Sequence, residues 1–223
     1  MKVAWWKDKN NFGDCLTPVL LERLAGIKCE WSEPLEADFI GIGSYLDSII
    51  THAKIWGSGF MFEEGKTHLH PNQILAVRGK LTQEKLGIKD VVLGDPGLLC
   101  KLIAKPSKKK HQYGFIPHWN CPGRMYGCHT IDITQDIDKV ISEVASCEKI
   151  ISSSLHGIVL ADALGIPRNW KRVSGNPGEG FKFRDYQSIY GTEIVPNEWQ
   201  TVSQTIVDDT NKKLLEVLKK IND

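Results

Sequence analysis

Short apolar segments alternate with amphipathic segments along the whole chain. In the first half, β-branched and aromatic runs predict strands at residues 2–5, 38–41, 54–56, 73–77 and 91–93. In the second half, the same pattern predicts strands at residues 113–117, 130–133, 149–152 and 168–170. Strands that alternate with helices in this way are typical of parallel sheets with crossover helices. The sequence therefore predicts an α/β fold.

Four segments have the periodicity of helices that pack on such sheets. They cover residues 14–25, 136–145, 155–164 and 202–221. In the first, Asp14 can cap the helix and Gly26 can end it. The segment 202–221 carries lysines near its end, where positive charge stabilises the C-terminus of a helix. We predict that this helix packs against the rest of the fold.

The character of the sequence changes between two apolar blocks near residue 107. Pro106, Ser107 and three consecutive lysines form a polar linker there. We therefore predict a domain of residues 1–107 and a second domain of residues 108–223. The lysine run itself is interpreted as solvated.

Composition and charge exclude several classes of protein. The 28 basic and 27 acidic residues give a net charge of +1, so neither nucleic acid nor an anionic membrane is attracted in general. The first 20 residues contain no apolar stretch of signal-peptide or membrane-span length, which predicts a cytoplasmic protein. The six cysteines are scattered, as expected for reduced thiols.

One group of residues has the types that bind zinc. His118, Cys121, Cys128 and His129 lie close together in the sequence. Their spacing matches no structural zinc pattern closely, so the interpretation as loop and strand residues without a metal is favoured.

The segment 150–167 combines a strand, a polar turn and an apolar helix. A helix that begins after a parallel strand presents unpaired backbone N–H groups at the carboxyl edge of the sheet, where α/β folds bind ligands. Ser153, Ser154 and His156 can contact an anion there. Alternatively, the serines are helix caps and His156 is a structural residue.

Polar residues also follow strands in the first half. Asn11 and Asp14 suit hydrogen bonds to sugar hydroxyls, although a loop and a helix cap explain them almost as well. Arg78 follows the strand at 73–77 and can bind a carboxylate or phosphate. Arg78 and Asp95 can equally hold a domain interface through ion pairs. The glycines near residues 41 and 57 lack the third glycine of a dinucleotide site.

Several segments, in this order, carry a resemblance to a known family. They are Asn11-Phe12-Gly13-Asp14, Val77-Arg78-Gly79, Gly94-Asp95-Pro96-Gly97, Gly114-Phe115-Ile116-Pro117-His118, Ser153-Ser154-Leu155-His156-Gly157 and Lys182-Phe183-Arg184-Asp185-Tyr186. With the apolar segment 161–167, the ordered set resembles polysaccharide pyruvyl transferases. The chain is shorter than many members, so insertions that bind the acceptor can be missing.

The resemblance implies a fold and a reaction. The expected fold is two Rossmann-like parallel-sheet domains that face each other across a cleft, as in glycosyltransferase-B enzymes. The first domain is the expected acceptor side, and the second the expected phosphoenolpyruvate side. The expected reaction transfers pyruvate from phosphoenolpyruvate to a sugar of a cell-surface glycan or exopolysaccharide, as a ketal. Phosphoenolpyruvate is the co-substrate, and neither a metal nor another cofactor is expected.

Candidate roles follow from the resemblance and from the chemistry of the donor. Leu155 and His156 match the family's donor-site pair, and His156 is the expected acid/base group. The remaining donor-binding candidates supply cations, hydroxyls or N–H groups; they are Arg78, His118, Ser153, Ser154, Lys182 and Arg184. Asn11, Asp14 and Asp95 are the acceptor-binding candidates.

Two other functions stay open at this stage. A nucleotide-sugar glycosyltransferase shares the expected architecture, and fold alone does not determine function. A non-catalytic glycan-binding relative can use Trp119 or Trp199 to stack on sugars. The expected partners are phosphoenolpyruvate and a glycan or lipid-linked saccharide. Through that acceptor, a peripheral association with the inner face of the membrane is expected.

Overall fold

Two β-sheets, one from each half of the chain, form the framework of the computed structural model. The structure describes residues 1–7, 9–175, 178 and 180–222. In the first sheet the strand order is β2-β1-β3-β4-β5-β6, and all neighbours run parallel. Its strands are Lys2–Ala4 (β1), Glu30–Trp31 (β2), Phe39–Ile40 (β3), Lys54–Ser58 (β4), Ile74–Val77 (β5) and Val92–Leu93 (β6).

The second sheet has the order β11-β10-β9-β7-β8. Its strands are His111–Ile116 (β7), His129–Thr130 (β8), Cys147–Ser152 (β9), Arg168–Trp170 (β10) and Trp199–Gln200 (β11). Only the edge strand β11 runs antiparallel to its neighbour within this sheet. The prediction of an α/β fold with parallel sheets is confirmed.

Seven α-helices connect and cover these strands in the described part of the chain. They are Phe12–Ala25 (α1), Lys80–Leu86 (α2), Cys100–Ile103 (α3), Ile137–Ala145 (α4), Leu155–Ala163 (α5), Phe181–Gln187 (α6) and Gln204–Asn222 (α7). Gly26 ends α1 with a φ of 68°, a conformation that glycine adopts without strain. The Asp136 side chain caps α4 by accepting from two backbone N–H groups. In that part of the chain, none of the helices has the length and apolar character that a bilayer span requires.

All nine predicted strands overlap strands of the structure, whereas β2 and β11 were missed. Both missed strands contain two residues and add to an edge of a sheet. Each contains a polar residue, so no apolar run marks them, whereas the equally short β3 and β6 lie in apolar runs. The first helix begins at Phe12 rather than Asp14, with Asn11 at the N-cap position.

Apolar residues of both halves share one core. The largest cluster includes Leu16 and Leu20 of α1, Val140 of α4 and Leu214 of α7. The indole Nε1 of Trp56, on β4, donates to the Leu214 carbonyl oxygen at 3.4 Å. The last helix, from the second half of the chain, therefore packs against the first sheet. The division into two domains at residue 107 stays a prediction.

The carboxyl ends of the two sheets lie next to each other. The Phe12 N–H, after β1, donates to the Ile133 carbonyl oxygen, after β8, at 2.8 Å. Arg78, after β5, forms an ion pair with Asp185 of α6 at 2.9 Å. These two contacts bring the loops that follow both sets of strands together, and the candidate site lies there.

Candidate active site

A pocket of about 80 Å³ lies between the loops at the carboxyl ends of both sheets; we call it the central pocket. Of the eleven predicted site residues it brings seven together, so segments far apart in the sequence contribute to one site. These are Asn11, Asp14, His118, Ser154, Leu155, His156 and Lys182. The first two follow β1, His118 follows β7, and the next three follow β9.

His156 lies beside Asp95 at the start of α5. Its Nε2 is 3.5 Å from Oδ2 of Asp95, and both side chains are almost completely buried. Among the described residues, neither of these two atoms has a hydrogen-bond partner. The other carboxylate oxygen of Asp95 accepts from the Gly97 N–H at 2.8 Å. Asp95 is thus fixed behind the imidazole, and it does not line the pocket.

Gly13 makes room for the imidazole of His156. A Cβ atom at position 13 would lie 1.8 Å from Nδ1 of His156, far inside van der Waals contact. Only a glycine in α1 allows the ring to approach this closely. The Asn-Phe-Gly-Asp segment of the sequence therefore shapes the pocket through its glycine as well as its polar side chains.

Asn11 and Asp14 form a polar pair on one wall of the central pocket. The Asn11 amide donates to Oδ2 of Asp14 at 2.6 Å, while the buried Asn11 Oδ1 has no partner among the described residues. Burial raises the pKa of Asp14 above its ordinary range, although His156 and the Asn11 hydrogen bond oppose this shift. An amide oxygen and a weakly acidic carboxyl group therefore face the pocket.

Lys182 places an ammonium group at the pocket. Burial and the nearby Arg78 lower the pKa of Lys182 to about 8, so it is mainly charged at neutral pH. Its side chain makes no hydrogen bond or ion pair with the rest of the chain as described here. The nearby Asp14 opposes the lowering of the Lys182 pKa but forms no ion pair with Lys182 among the described contacts. Burying the ammonium is therefore costly, and an anionic ligand would compensate for that cost.

His118 has a different electrostatic character. Burial and the Lys182 charge lower the pKa of His118 to about 4, so its imidazole is neutral at pH 7. Its backbone N–H donates to the Ser153 hydroxyl at 2.8 Å, which joins the turns after β7 and β9. His118 can bind a ligand by hydrogen bonds at this pH, but it adds no positive charge.

The start of α5 points its unpaired N–H groups at the central pocket. Ser154 occupies the N-cap position, and its side chain makes no cap hydrogen bond within the described backbone. The Ser152 hydroxyl instead accepts from the Ser154 N–H at 3.0 Å. The helix terminus and the Ser154 hydroxyl, which lines the pocket, form a set of donors suited to an anion.

Arg78 is buried next to the pocket but does not line it. Its guanidinium donates to Asp185 at 2.9 Å and to the Ser44 hydroxyl at 2.8 Å, and also to the Phe60 carbonyl oxygen. Asp185 in turn accepts from the Thr82 N–H at 2.8 Å. These contacts match the alternative interpretation of Arg78 as an interface residue, and its role in donor binding stays a prediction.

Two further predicted residues lie outside the pocket. Arg184 is about half exposed and forms an ion pair with Glu63 at 2.8 Å. Ser153 is buried and accepts the hydrogen bond from His118 described above. Their proposed contacts with a donor stay predictions.

Four residues that line the pocket were missed by sequence reasoning. They are Gly43, Ser44, Met61 and Trp119. A signal existed for the first two, since a glycine-rich turn follows β3 and Gly43 has a φ of 132°. Met61 also follows a glycine-bearing turn, at Gly57 and Gly59, but its own side chain has no chemistry that marks a site. Trp119 was considered only for a glycan-binding protein.

The residues considered for zinc do not converge. Within the described residues, no group of three or more His, Cys, Asp or Glu side chains is arranged to hold a metal ion. All six cysteines are free thiols. The charged or titratable side chains in or beside the central pocket include those of His156, Asp95, Asp14 and Lys182.

Known proteins resemble this chain over most of its length. The family profile described as polysaccharide pyruvyl transferase matches residues 55–169, which include Arg78, Asp95 and His156. Uncharacterized protein L143 of Acanthamoeba polyphaga mimivirus is 33% identical over 207 residues, covering 82% of this chain and 72% of that protein. Succinoglycan biosynthesis protein ExoV of Rhizobium meliloti (strain 1021) is 28% identical over 218 residues, covering 88% of this chain and 67% of that protein. The chain belongs to the polysaccharide pyruvyl transferase family.

Proposed function

We propose that this protein transfers the pyruvyl group of phosphoenolpyruvate to two hydroxyl groups of one sugar, forming a cyclic ketal. One observation carries this proposal: a buried His–Asp pair, a carboxyl group of raised pKa and an unpaired ammonium converge on a single pocket. The reaction needs an acid, a base and an anion site, and these groups supply all three.

The donor binds through its two anionic groups. Phosphoenolpyruvate carries a carboxylate and a phosphate, and Lys182 supplies the positive charge that faces them. The N–H groups at the start of α5 and the Ser154 hydroxyl donate hydrogen bonds to the same anion. His118, neutral at pH 7, adds a hydrogen bond at the edge of the site.

His156 acts as the general acid. Its Nε2 faces Asp95, which leaves Nδ1 for the substrate. Asp95 holds the ring and stabilises the positive charge that the imidazole takes up with a proton, so we assign it to positioning rather than to acceptor binding. The proton goes to the methylene carbon of phosphoenolpyruvate, and the adjacent carbon, which carries the phosphate, becomes electrophilic.

Asp14 acts as the general base for the acceptor. A first sugar hydroxyl adds to the electrophilic carbon, and its proton goes to the Asp14 carboxylate. Phosphate then leaves with its bonding electrons and takes up the proton held by Asp14. A second hydroxyl of the same sugar adds to the same carbon, and its proton returns to His156, so that both groups regain their starting states. The net reaction converts phosphoenolpyruvate and a sugar diol into a cyclic ketal and inorganic phosphate. No metal or further cofactor enters this scheme.

The arrangement of the two sheets fits an enzyme that binds two substrates in a cleft. We infer that the sheets belong to two Rossmann-like domains facing across the central pocket, as in glycosyltransferase-B enzymes. The relative named for succinoglycan biosynthesis supports an exopolysaccharide acceptor. We further propose that the protein acts in the cytoplasm, where a lipid-linked acceptor would hold it at the inner face of the membrane.

A thermal-shift titration with phosphoenolpyruvate, beside a panel of nucleotide sugars, tests the donor. A ligand at 100 times its dissociation constant adds roughly 2.7 kcal/mol to the free energy of unfolding. We expect phosphoenolpyruvate alone to stabilise the protein, and phosphate to be released when a glycan acceptor is added. Stabilisation by nucleotide sugars alone would contradict the proposal and favour a glycosyltransferase.

A further inference from the structure

A second and larger pocket opens directly beside the central pocket. It lies after β7 and β8, has a volume of about 500 Å³, and shares His118 and Trp119 with the central pocket. We call it the Trp119 pocket. Small-molecule sites usually occupy about 300–1,000 Å³. The central pocket, at about 80 Å³, has room for reacting groups only, so the body of an acceptor needs adjacent space.

The lining of the Trp119 pocket has the chemistry that recognises a sugar ring. The indole of Trp119 is 37% exposed and offers an apolar face on which the C–H face of a pyranose can stack. Thr130, Thr134 and Asp132 add hydroxyl and carboxylate groups, and Arg124 adds a donor. Asp132 is already held in place, because it accepts from the Thr134 N–H at 2.9 Å and from the Thr134 hydroxyl at 2.7 Å.

The Trp119 pocket also leads to the proposed base. Ile133 lines it, and the Ile133 carbonyl oxygen accepts from the Phe12 N–H at 2.8 Å. Phe12 lies between Asn11 and Asp14, both of which line the central pocket. The Ile133–Phe12 hydrogen bond therefore places the Trp119 pocket next to the segment that carries Asn11 and Asp14.

We propose that the Trp119 pocket is the acceptor subsite and binds one pyranose ring of the glycan. The inference rests on the proposed function, because it assigns the acceptor of that same reaction. It places the body of the acceptor on the second sheet, whereas Asn11 and Asp14 of the first half contact only its hydroxyls.

A rival aromatic pocket lies at the far edge of the first sheet. Trp5, Trp6 and Trp31 line it, and its volume is about 210 Å³. However, the Lys7 ammonium lies over the Trp31 ring at 3.1 Å from its centre, which covers the stacking face. This pocket also shares none of its described lining residues with the central pocket. Trp6, 53% exposed, therefore provides a matched control for Trp119.

Ligand-observed NMR tests the assignment with methyl glycosides of glucose, galactose, mannose and N-acetylglucosamine as probes. We expect at least one glycoside to bind the protein. Trp119→Ala is expected to weaken that binding roughly tenfold or more, as for other buried aromatic anchors. Trp119→Phe, which keeps a stacking face, and Trp6→Ala should change it by less than about threefold.

Donor binding separates a failure of this inference from a failure of the proposed function. Arg124→Ala changes a residue that lines the Trp119 pocket but not the central pocket, so it should weaken glycoside binding and leave the thermal stabilisation by phosphoenolpyruvate as in the original protein. Cooperative thermal unfolding shows that Trp119→Ala is folded. Unchanged glycoside binding in Trp119→Ala, a loss in Trp6→Ala instead, or no binding by any probe would overturn the subsite. If phosphoenolpyruvate does not stabilise the protein, its assignment as the donor is refuted, independently of the result for glycoside binding.

Discussion

Nε2 of His156 lies 3.5 Å from Oδ2 of Asp95, and each atom lacks any other hydrogen-bond partner among the described residues. Burying an unpaired carboxylate is costly, so the two groups stabilise each other when the imidazole is protonated. The Gly97 N–H holds Asp95 in place, and the imidazole is therefore oriented from a rigid turn. This relationship makes Asp95 a positioning residue that acts through His156.

We expect Asp95→Asn to lower kcat by roughly 10²-fold or more, the usual contribution of acid–base catalysis. Removal of the carboxylate leaves the imidazole in place but takes away the charge that stabilises its protonated form. Steady-state kinetics with phosphoenolpyruvate as the varied substrate measures the effect, and His156→Ala is the reference for complete loss. Because Asp95 does not line the pocket, the dissociation constant of the donor should change little.

Kinetic and binding data together decide the role of Asp95. A weaker affinity for the acceptor with an unchanged kcat would contradict the positioning role and restore the acceptor-binding prediction. Binding is measured independently by the thermal shift with phosphoenolpyruvate, which also shows that the variant is folded.

Gly13→Ala should displace the imidazole of His156. The added Cβ would lie 1.8 Å from Nδ1, so the ring or α1 must move. We expect a loss of activity together with a destabilisation of about 1–3 kcal/mol, as for other overpacked sites. Activity measurements and thermal unfolding check the two effects.

The double variant Gly13→Ala/His156→Ala tests whether the clash with the imidazole causes the loss of stability expected for Gly13→Ala. If the clash with the imidazole is responsible, removing the ring makes room for the new methyl group. The stability cost of Gly13→Ala should then largely disappear in the His156→Ala background, giving a coupling energy that a double-mutant cycle measures. Equal costs in both backgrounds would show that the glycine matters to α1 itself.

The ion pair of Arg78 and Asp185 should contribute mainly to stability. Both side chains are almost completely buried, and Arg78→Ala would leave the Asp185 carboxylate without its charged partner. Breaking a buried pair in this way costs about 3–5 kcal/mol, which chemical denaturation measures. Arg184→Ala is the matched control, since its pair with Glu63 is exposed and should contribute at most about 1 kcal/mol. A stable Arg78→Ala variant with weakened donor affinity would instead favour the donor-binding prediction.

The sequence predicted nine of the eleven described strands, the four longest of the described helices and the carboxyl-edge position of the candidate site. These follow from local periodicity and from the rule that parallel sheets bind ligands at that edge. It did not predict the partner of a charged residue. Arg78 and Asp95 were each given two roles. The choice depends on Asp185, 107 residues from Arg78, and on His156, which lies in α5 of the second half of the chain. Contacts between distant segments leave no local pattern.

Residues without distinctive chemistry were missed for a related reason. Met61 lines the central pocket because β4 ends there, and a single methionine after a strand is indistinguishable from a core residue. The closeness of Gly13 to His156 depends on the packing of α1 against α5, which no spacing in the sequence encodes. Glycine was recognised in turns, where a positive φ requires it, and not where another side chain needs space.

Lys182 should make donor binding depend on pH. Burial and the neighbouring Arg78 lower the pKa of Lys182 from 10.5 to about 8, so the ammonium loses its charge as pH rises through this value. We expect the affinity for phosphoenolpyruvate to fall as pH rises above about 8. Lys182→Arg should remove this dependence, because a guanidinium stays charged. The dissociation constant measured from pH 6.5 to 9.5 checks both expectations, with the exposed Lys80→Met as the control variant.

The same lowered pKa predicts an opposite effect on stability. Between pH 8 and 10.5 the unfolded chain keeps a proton on Lys182 that the folded protein releases, so this group makes the free energy of unfolding rise with pH. At pH 7 the buried charge is a cost, and Lys182→Met should therefore stabilise the folded protein by up to about 3 kcal/mol while abolishing stabilisation by phosphoenolpyruvate. Urea denaturation at pH 7, with and without the donor, measures both. A Lys182→Met variant that is less stable, or still stabilised by the donor, would show that the ammonium has a structural partner rather than a ligand.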